Sequence, residues 1–112
     1  IVQLQVQVKF FHWQTKIYSK HIALDRLFDA IIANIDEFTE TAMGKYGRID
    51  VAGLSYTFIN VSDENVVSVV DGAIDMCIKV QSAFDKDDTD LMNLRDTILG
   101  KLNQTKYLLT LK

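Results

Sequence analysis

Apolar residues recur along this chain at intervals of three and four, interrupted by three breaks where that period is lost. The pattern predicts four helices. The first spans about 1–18, with Val2, Val6, Phe10 and Trp13 on or near one face. Its opening also alternates, with Val2, Leu4, Val6 and Val8 between Gln3, Gln5 and Gln7, as a strand would. The glutamines and the following FFHWQTK favour a helix. A second helix is expected over 20–46, with Ser19 as N-cap and Gly44 and Gly47 at its end. Residues 47–61, GRIDVAGLSYTFINV, have no helical period and read as an ordered connection. Ser62 is the expected cap of a third helix running to about residue 84, with Asp63 and Glu64 in its first turn. The segment DKDDTD turns the chain, and Asp88 is the expected cap of a fourth helix ending near residue 109.

Connection lengths decide how these helices are joined. A helix of about 26 residues is ~39 Å long, and an extended linker of about 15 residues reaches ~50 Å. The middle connection can therefore run the length of the molecule, while the other two are turns. The expected fold is all-α, a four-helix bundle with a long crossover between the second and third helices. The absence of proline and the presence of only five glycines agree with it.

With 112 residues, 48% of them hydrophobic, the chain suits a single domain over 1–112. A net charge of −3 with dispersed lysines leaves no electrostatic footprint for nucleic acid. Cys77 is the only cysteine, so an internal disulfide and a CxxC metal site are excluded, and the residue reads as part of the core. No apolar run approaches a membrane span, and a soluble protein of the cytoplasm is expected.

One face of the second helix concentrates the candidate chemistry. Taking His21 as zero and ~100° per residue, Asp25 falls at ~40°, Asp36 at ~60° and Glu40 at ~100°. Asp25 and Asp36 are separated by ~16 Å along the axis, whereas metal ligands lie ~2.0–2.3 Å from their ion. One helix cannot close such a site. An antiparallel second copy about a two-fold axis would set Asp36 and Glu40 of one chain beside His21 and Asp25 of the other, with Phe28 and Ile32 supplying apolar contact between them.

The dipeptide His12-Trp13, followed by His21, Asp25, Asp36 and Glu40 in a His-x3-Asp-x10-Asp-x3-Glu pattern, resembles the ferroxidase motif of the Dps proteins, the mini-ferritins of the ferritin-like superfamily. The matching stretch covers roughly residues 10–48. The resemblance implies a ferritin-like bundle, a homo-oligomer built from two-fold dimers, and assembly into a dodecameric shell. It also implies that His21 and Asp25, with His12 of a neighbouring chain, face Asp36 and Glu40 across that interface. The implied activity is oxidation of Fe(II) to Fe(III) by peroxide or O2, with sequestration of the iron and a role in oxidative stress. Imidazole and carboxylate ligands also suit Mn or Zn. HWQTK and the later GKYGR are similar to small ferritin-like proteins of large DNA viruses and phages, which implies an alternative: a structural or virion-associated viral protein whose metal site is vestigial. No Glu-x-x-His occurs in the chain, so a diiron site at the bundle centre is not expected.

Other polar and aromatic residues have plainer readings. Asp29, Glu37 and the run Asp85, Asp87, Asp88 and Asp90 read as solvated or turn residues, with Asp29 a reserve ligand. Trp13 is expected to pack beside the site. Tyr46, Gly47 and Arg48 read as a helix stop, and Tyr56, Phe58 and Tyr107 as core or interface aromatics. Neither a nucleophile with a positioned base nor a phosphate-cradling loop is present.

Overall fold

A computed structural model describes residues 2–111, and the expected start of the first helix at Ile1 lies outside them. Four helices form: α1 Val2–Gln14, α2 Tyr18–Tyr46, α3 Asp63–Lys79 and α4 Thr89–Leu108, with a 3-10 turn, Val80–Ala83, extending α3. No strand occurs among the described residues.

The alternating start of the chain is helical, and three of the four glutamines of α1 share a helix face. Gln3, Gln7 and Gln14 lie within ~40° of one another around the axis. Together they bind the backbone of the connection between α2 and α3. Gln3 Nε2 donates to the Thr57 carbonyl at 2.8 Å, and Gln14 Oε1 accepts from the Val61 amide at 2.7 Å. The buried Gln7 does both, donating to the Ile59 carbonyl and accepting from the Ile59 amide, each at 2.9 Å. In a strand Gln3 and Gln7 would fall on one face and Gln14 on the other, and this shared register would be lost.

The inward face of α1 is Leu4, Val8 and Phe11 rather than the Val2, Val6, Phe10 and Trp13 stripe expected. Val2 is 49% exposed and Trp13 is 64% exposed. α1 carries apolar residues around most of its circumference, so periodicity alone could not select the face.

In α2, Leu24, Leu27, Ile31, Ile35 and Phe38 form a continuous buried seam. Val66, Val70, Ala73 and Cys77 of α3 and Leu91, Ile98 and Leu102 of α4 meet it, giving one core. α1 packs on α2, α2 on α4 and α4 on α3, with α1 touching α3 more lightly. Directions follow from the end contacts. Lys45 near the end of α2 meets Asp90 at the start of α4, so these helices are antiparallel. Lys20 near the start of α2 pairs with Asp63 at the start of α3, so these two are parallel.

α1 has 13 residues and α2 has 29. At ~1.5 Å per residue, α1 covers about half of α2. Near its N-terminus, an apolar cavity of about 330 Å³ opens between α1 and α3, bordered by Leu4, Ile35, Val69, Gly72 and Met76.

Two expected caps differ. Ser62 accepts from the Asn65 amide at 3.0 Å and caps α3 as the sequence indicates. Ser19 lies inside α2, which starts after Ile17, and its hydroxyl donates to the Leu111 carbonyl at 3.2 Å. Asp88 precedes α4 without capping it, because its carboxylate is engaged by α2. The connection turns at residues 51–54, where the Leu54 amide reaches the Val51 carbonyl at 3.2 Å and Gly53 adopts φ 80°. A third turn position with positive φ favours glycine. No described helix is long and apolar enough to cross a membrane.

Candidate metal centre at the histidine hairpin

The three-residue link between α1 and α2 brings His12, on the last turn of one helix, against His21, on the first turns of the next. Their rings stack with centroids 3.8 Å apart and planes 21° from parallel. Each ring also grips the other residue's backbone. His12 Nδ1 is 2.8 Å from the His21 carbonyl, and His21 Nδ1 is 2.9 Å from the His12 carbonyl.

A carbonyl can only accept, so each Nδ1 carries a proton and donates it. In the neutral rings this assigns the lone pair to Nε2 on both residues. Fixing one ring nitrogen through a backbone carbonyl while freeing the other is how proteins orient imidazole ligands for metals. His12 Nε2 lies 3.8 Å from Asp25 Oδ1, one helical turn beyond His21. His12 is 8% exposed, while the Asp25 side chain is 42% exposed and reachable from solvent.

Three of the five candidate ligands are thus neighbours. Within one chain, His12 already stands with His21, so the inter-chain placement of His12 implied by the resemblance is not needed to pair these residues. Asp36 and Glu40 are exposed farther along the same continuous helix. Asp36 borders a shallow depression with Val2, Gln5 and Ile32, where α1 begins. Among the described residues, no group of three or more His, Cys, Asp or Glu side chains is poised to hold a metal within the single chain.

Around this centre the expected packing is altered. Trp13 points outward rather than packing on the ligands, and Tyr18, 77% exposed, lies beside His21 at 6.4 Å between centroids. Phe28 is half-buried and Ile32 is 43% exposed. Asp29 and Glu37 are exposed, as expected. Phe58 is half-buried edge-on to Phe10 at 5.1 Å, whereas Tyr56 and Tyr107 are exposed.

Sequence reasoning passed over Lys9. Its Nζ is 3.7 Å from Asp25 Oδ1, the same oxygen that faces His12. Its position three residues before His12, hence on the same side of α1, was the available signal.

At the other end of α2, Asp88 is 6% exposed and accepts from Lys45 Nζ at 2.9 Å, from the Tyr46 hydroxyl and from the Asp85 amide at 3.1 Å. The Tyr46 hydrogen bond, then Lys45, holds the Asp88 carboxyl below its usual range. Lys45 does the same for Asp90. Asp90, then Asp88, raises Lys45, and Asp88 raises Tyr46. Tyr46 is therefore an anchor as well as a helix-end residue. Burial pushes the Cys77 thiol up, which matches its place in the core.

Residues 12–109 match a family of unknown function (DUF5856), and the chain belongs to that family. Neither a curated protein nor a solved structure matches the chain. The family match begins at His12 and takes in all five candidate ligands; Lys9 stands outside it.

Proposed function

We propose that this family member is a Dps-like iron protein that oxidises Fe(II) at a site shared by two copies of the chain and sequesters the product. The observation that carries this reading is the histidine pair, whose rings are held by backbone carbonyls through Nδ1 while His12 Nε2 stands 3.8 Å from Asp25. The parallel run of α2 and α3, with residues 47–62 joining opposite ends, is what a ferritin-like crossover requires.

The substrate is Fe(II). His12 and His21 bind it through neutral nitrogen and Asp25 through carboxylate, a mixed donor set suited to first-row divalent metals. Asp36 and Glu40 of a second copy complete the set and add negative charge, which stabilises Fe(III) more than Fe(II). The oxidant, peroxide or O2, takes an electron from each Fe(II) and becomes reduced to water as it gains protons. Accumulated Fe(III) hydrolyses and is stored within the oligomer. Exposed Ile32 and half-buried Phe28, between the two ligand groups on α2, provide apolar contact for the two-fold seam.

The test is Fe(II) oxidation followed by Fe(III) absorbance, comparing the wild-type chain with Asp36→Ala combined with Glu40→Ala. Faster oxidation than buffer by the wild type alone is expected, together with a native mass of at least a dimer. A monomer, or a wild type no faster than buffer, overturns the proposal. An intact oligomer without oxidation leaves the structural or virion-associated bundle as the reading.

A further inference from the structure

The metal centre carries a cation of its own. Lys9 Nζ is 3.7 Å from Asp25 Oδ1, and that oxygen is 3.8 Å from His12 Nε2, so the ammonium and the imidazole share one acceptor. The lysine is also bounded by aromatic faces. Nζ sits 4.7 Å from the Phe28 ring centroid and 5.9 Å from that of Trp13, both within cation–π range. The side chain is 28% exposed. A bystander lysine extends into water, where an ion pair is worth little. Here a carboxylate and two rings converge on the ammonium.

We propose that Lys9 is a tethered cation that occupies the Asp25 carboxylate until a divalent metal displaces it, and so sets the metal affinity of the site. This inference rests on the metal-binding reading above. Asp25 cannot serve the ammonium and a metal ion equally, since two cations at one carboxylate oxygen repel. A dication attracts the carboxylate more strongly than a monocation does, and the neutral Nε2 donates to a metal but not to an ammonium already carrying its three protons. The exchange therefore favours a divalent transition metal over sodium or potassium. Trp13 on α1 and Phe28 on α2 offer the displaced ammonium ring faces within reach of its tether.

Calorimetric titration with Zn2+ and visible-absorption titration with Co2+ test this on the metal-free protein in its native assembly, with wild type, Lys9→Met and Lys9→Arg. Lys9→Met is expected to bind about fivefold tighter than wild type, the scale of a partly exposed ion pair. The difference should narrow as salt screens the pair, and Lys9→Arg should bind no tighter than wild type. Lys9→Gln repeats the neutralisation if Met alters packing, with helicity measured by circular dichroism. Equal or weaker binding by the neutral variants overturns the role of Lys9 and leaves the metal site standing. Absence of binding by wild type and variants alike overturns the site itself, and this inference with it.

Discussion

The two ends of α2 are tied down by different chemistry. At its start, two stacked imidazoles clasp each other's backbone through Nδ1, and both Nε2 atoms remain without a partner from the hairpin backbone. At its end, the Asp88 carboxylate takes donors from Lys45, Tyr46 and the Asp85 amide. Phe84 closes the same corner, edge-on to Phe38 and tilted against Tyr46, each at 5.9 Å. The first corner is held by half of its polar capacity, and the second uses nearly all of it. The His12 Nε2 lone pair, 3.8 Å from a reachable carboxylate, is open to a ligand, whereas the Asp88 carboxylate is already taken up by donors of the fold.

Breaking the saturated corner should have the largest structural effect. Asp88→Ala leaves Lys45, Tyr46 and the Asp85 amide without their shared acceptor, and its thermal midpoint should fall furthest among single substitutions at either end. Circular dichroism on heating measures this. His12→Ala removes the stack and strands the part-buried His21 carbonyl, so a loss of about 1–3 kcal/mol is expected from denaturant titration.

Acid should act on the second corner as well. Asp88 and Asp90 have folded pKa values below their unfolded values, so the stability they contribute is present above the ordinary carboxylate pKa of ~3.9 and is lost as pH falls through the folded values. Denaturation midpoints measured down this range should decline in wild type and decline less in Asp88→Asn, which cannot titrate there. At the alkaline side, raised Tyr46 favours its neutral form in the fold, so its contribution is lost as pH climbs past the ordinary phenol pKa of ~10.

His12→Asn sharpens the contrast between holding and binding. The Asn amide can replace the Nδ1 donor but offers no counterpart to Nε2, so stability should drop by less than about 1 kcal/mol while Zn2+ affinity is lost. A small gain in stability alongside retained binding would detach His12 from the proposed metal site. Gly72→Ala, in the middle of α3 and far from both corners, is the reference. An added Cβ meets nothing within 4 Å, and removing a helix-interior glycine should stabilise by up to about 1 kcal/mol in thermal melts.

Much of the fold is legible in the sequence because helix periodicity and Ser62 are local signals. All four helices lie near their expected spans, and the Ser62 cap needs only Asn65, three residues on. What could not be read depends on distant partners. Asp88 looks like a cap until Lys45 and Tyr46, more than 40 residues earlier, claim its carboxylate. Trp13 looks like packing material, but α1 presents a competing apolar stripe and Leu4, Val8 and Phe11 fill the core. For the candidate site, His12, His21 and Asp25 were identifiable by type and spacing. The reciprocal clasp was not, because its acceptors are backbone carbonyls, which every residue has.

The connection strapped to α1 by Gln3, Gln7 and Gln14 bears on the order in which the chain folds. Those bonds join residues 46 to 54 positions apart, whereas His12 and His21 are separated by only nine. Closing a longer loop carries a greater entropic cost, so local pairings form sooner. As the chain emerges during synthesis, the hairpin with both histidines can close before the strap exists, and the strap then locks a histidine pair that is already assembled.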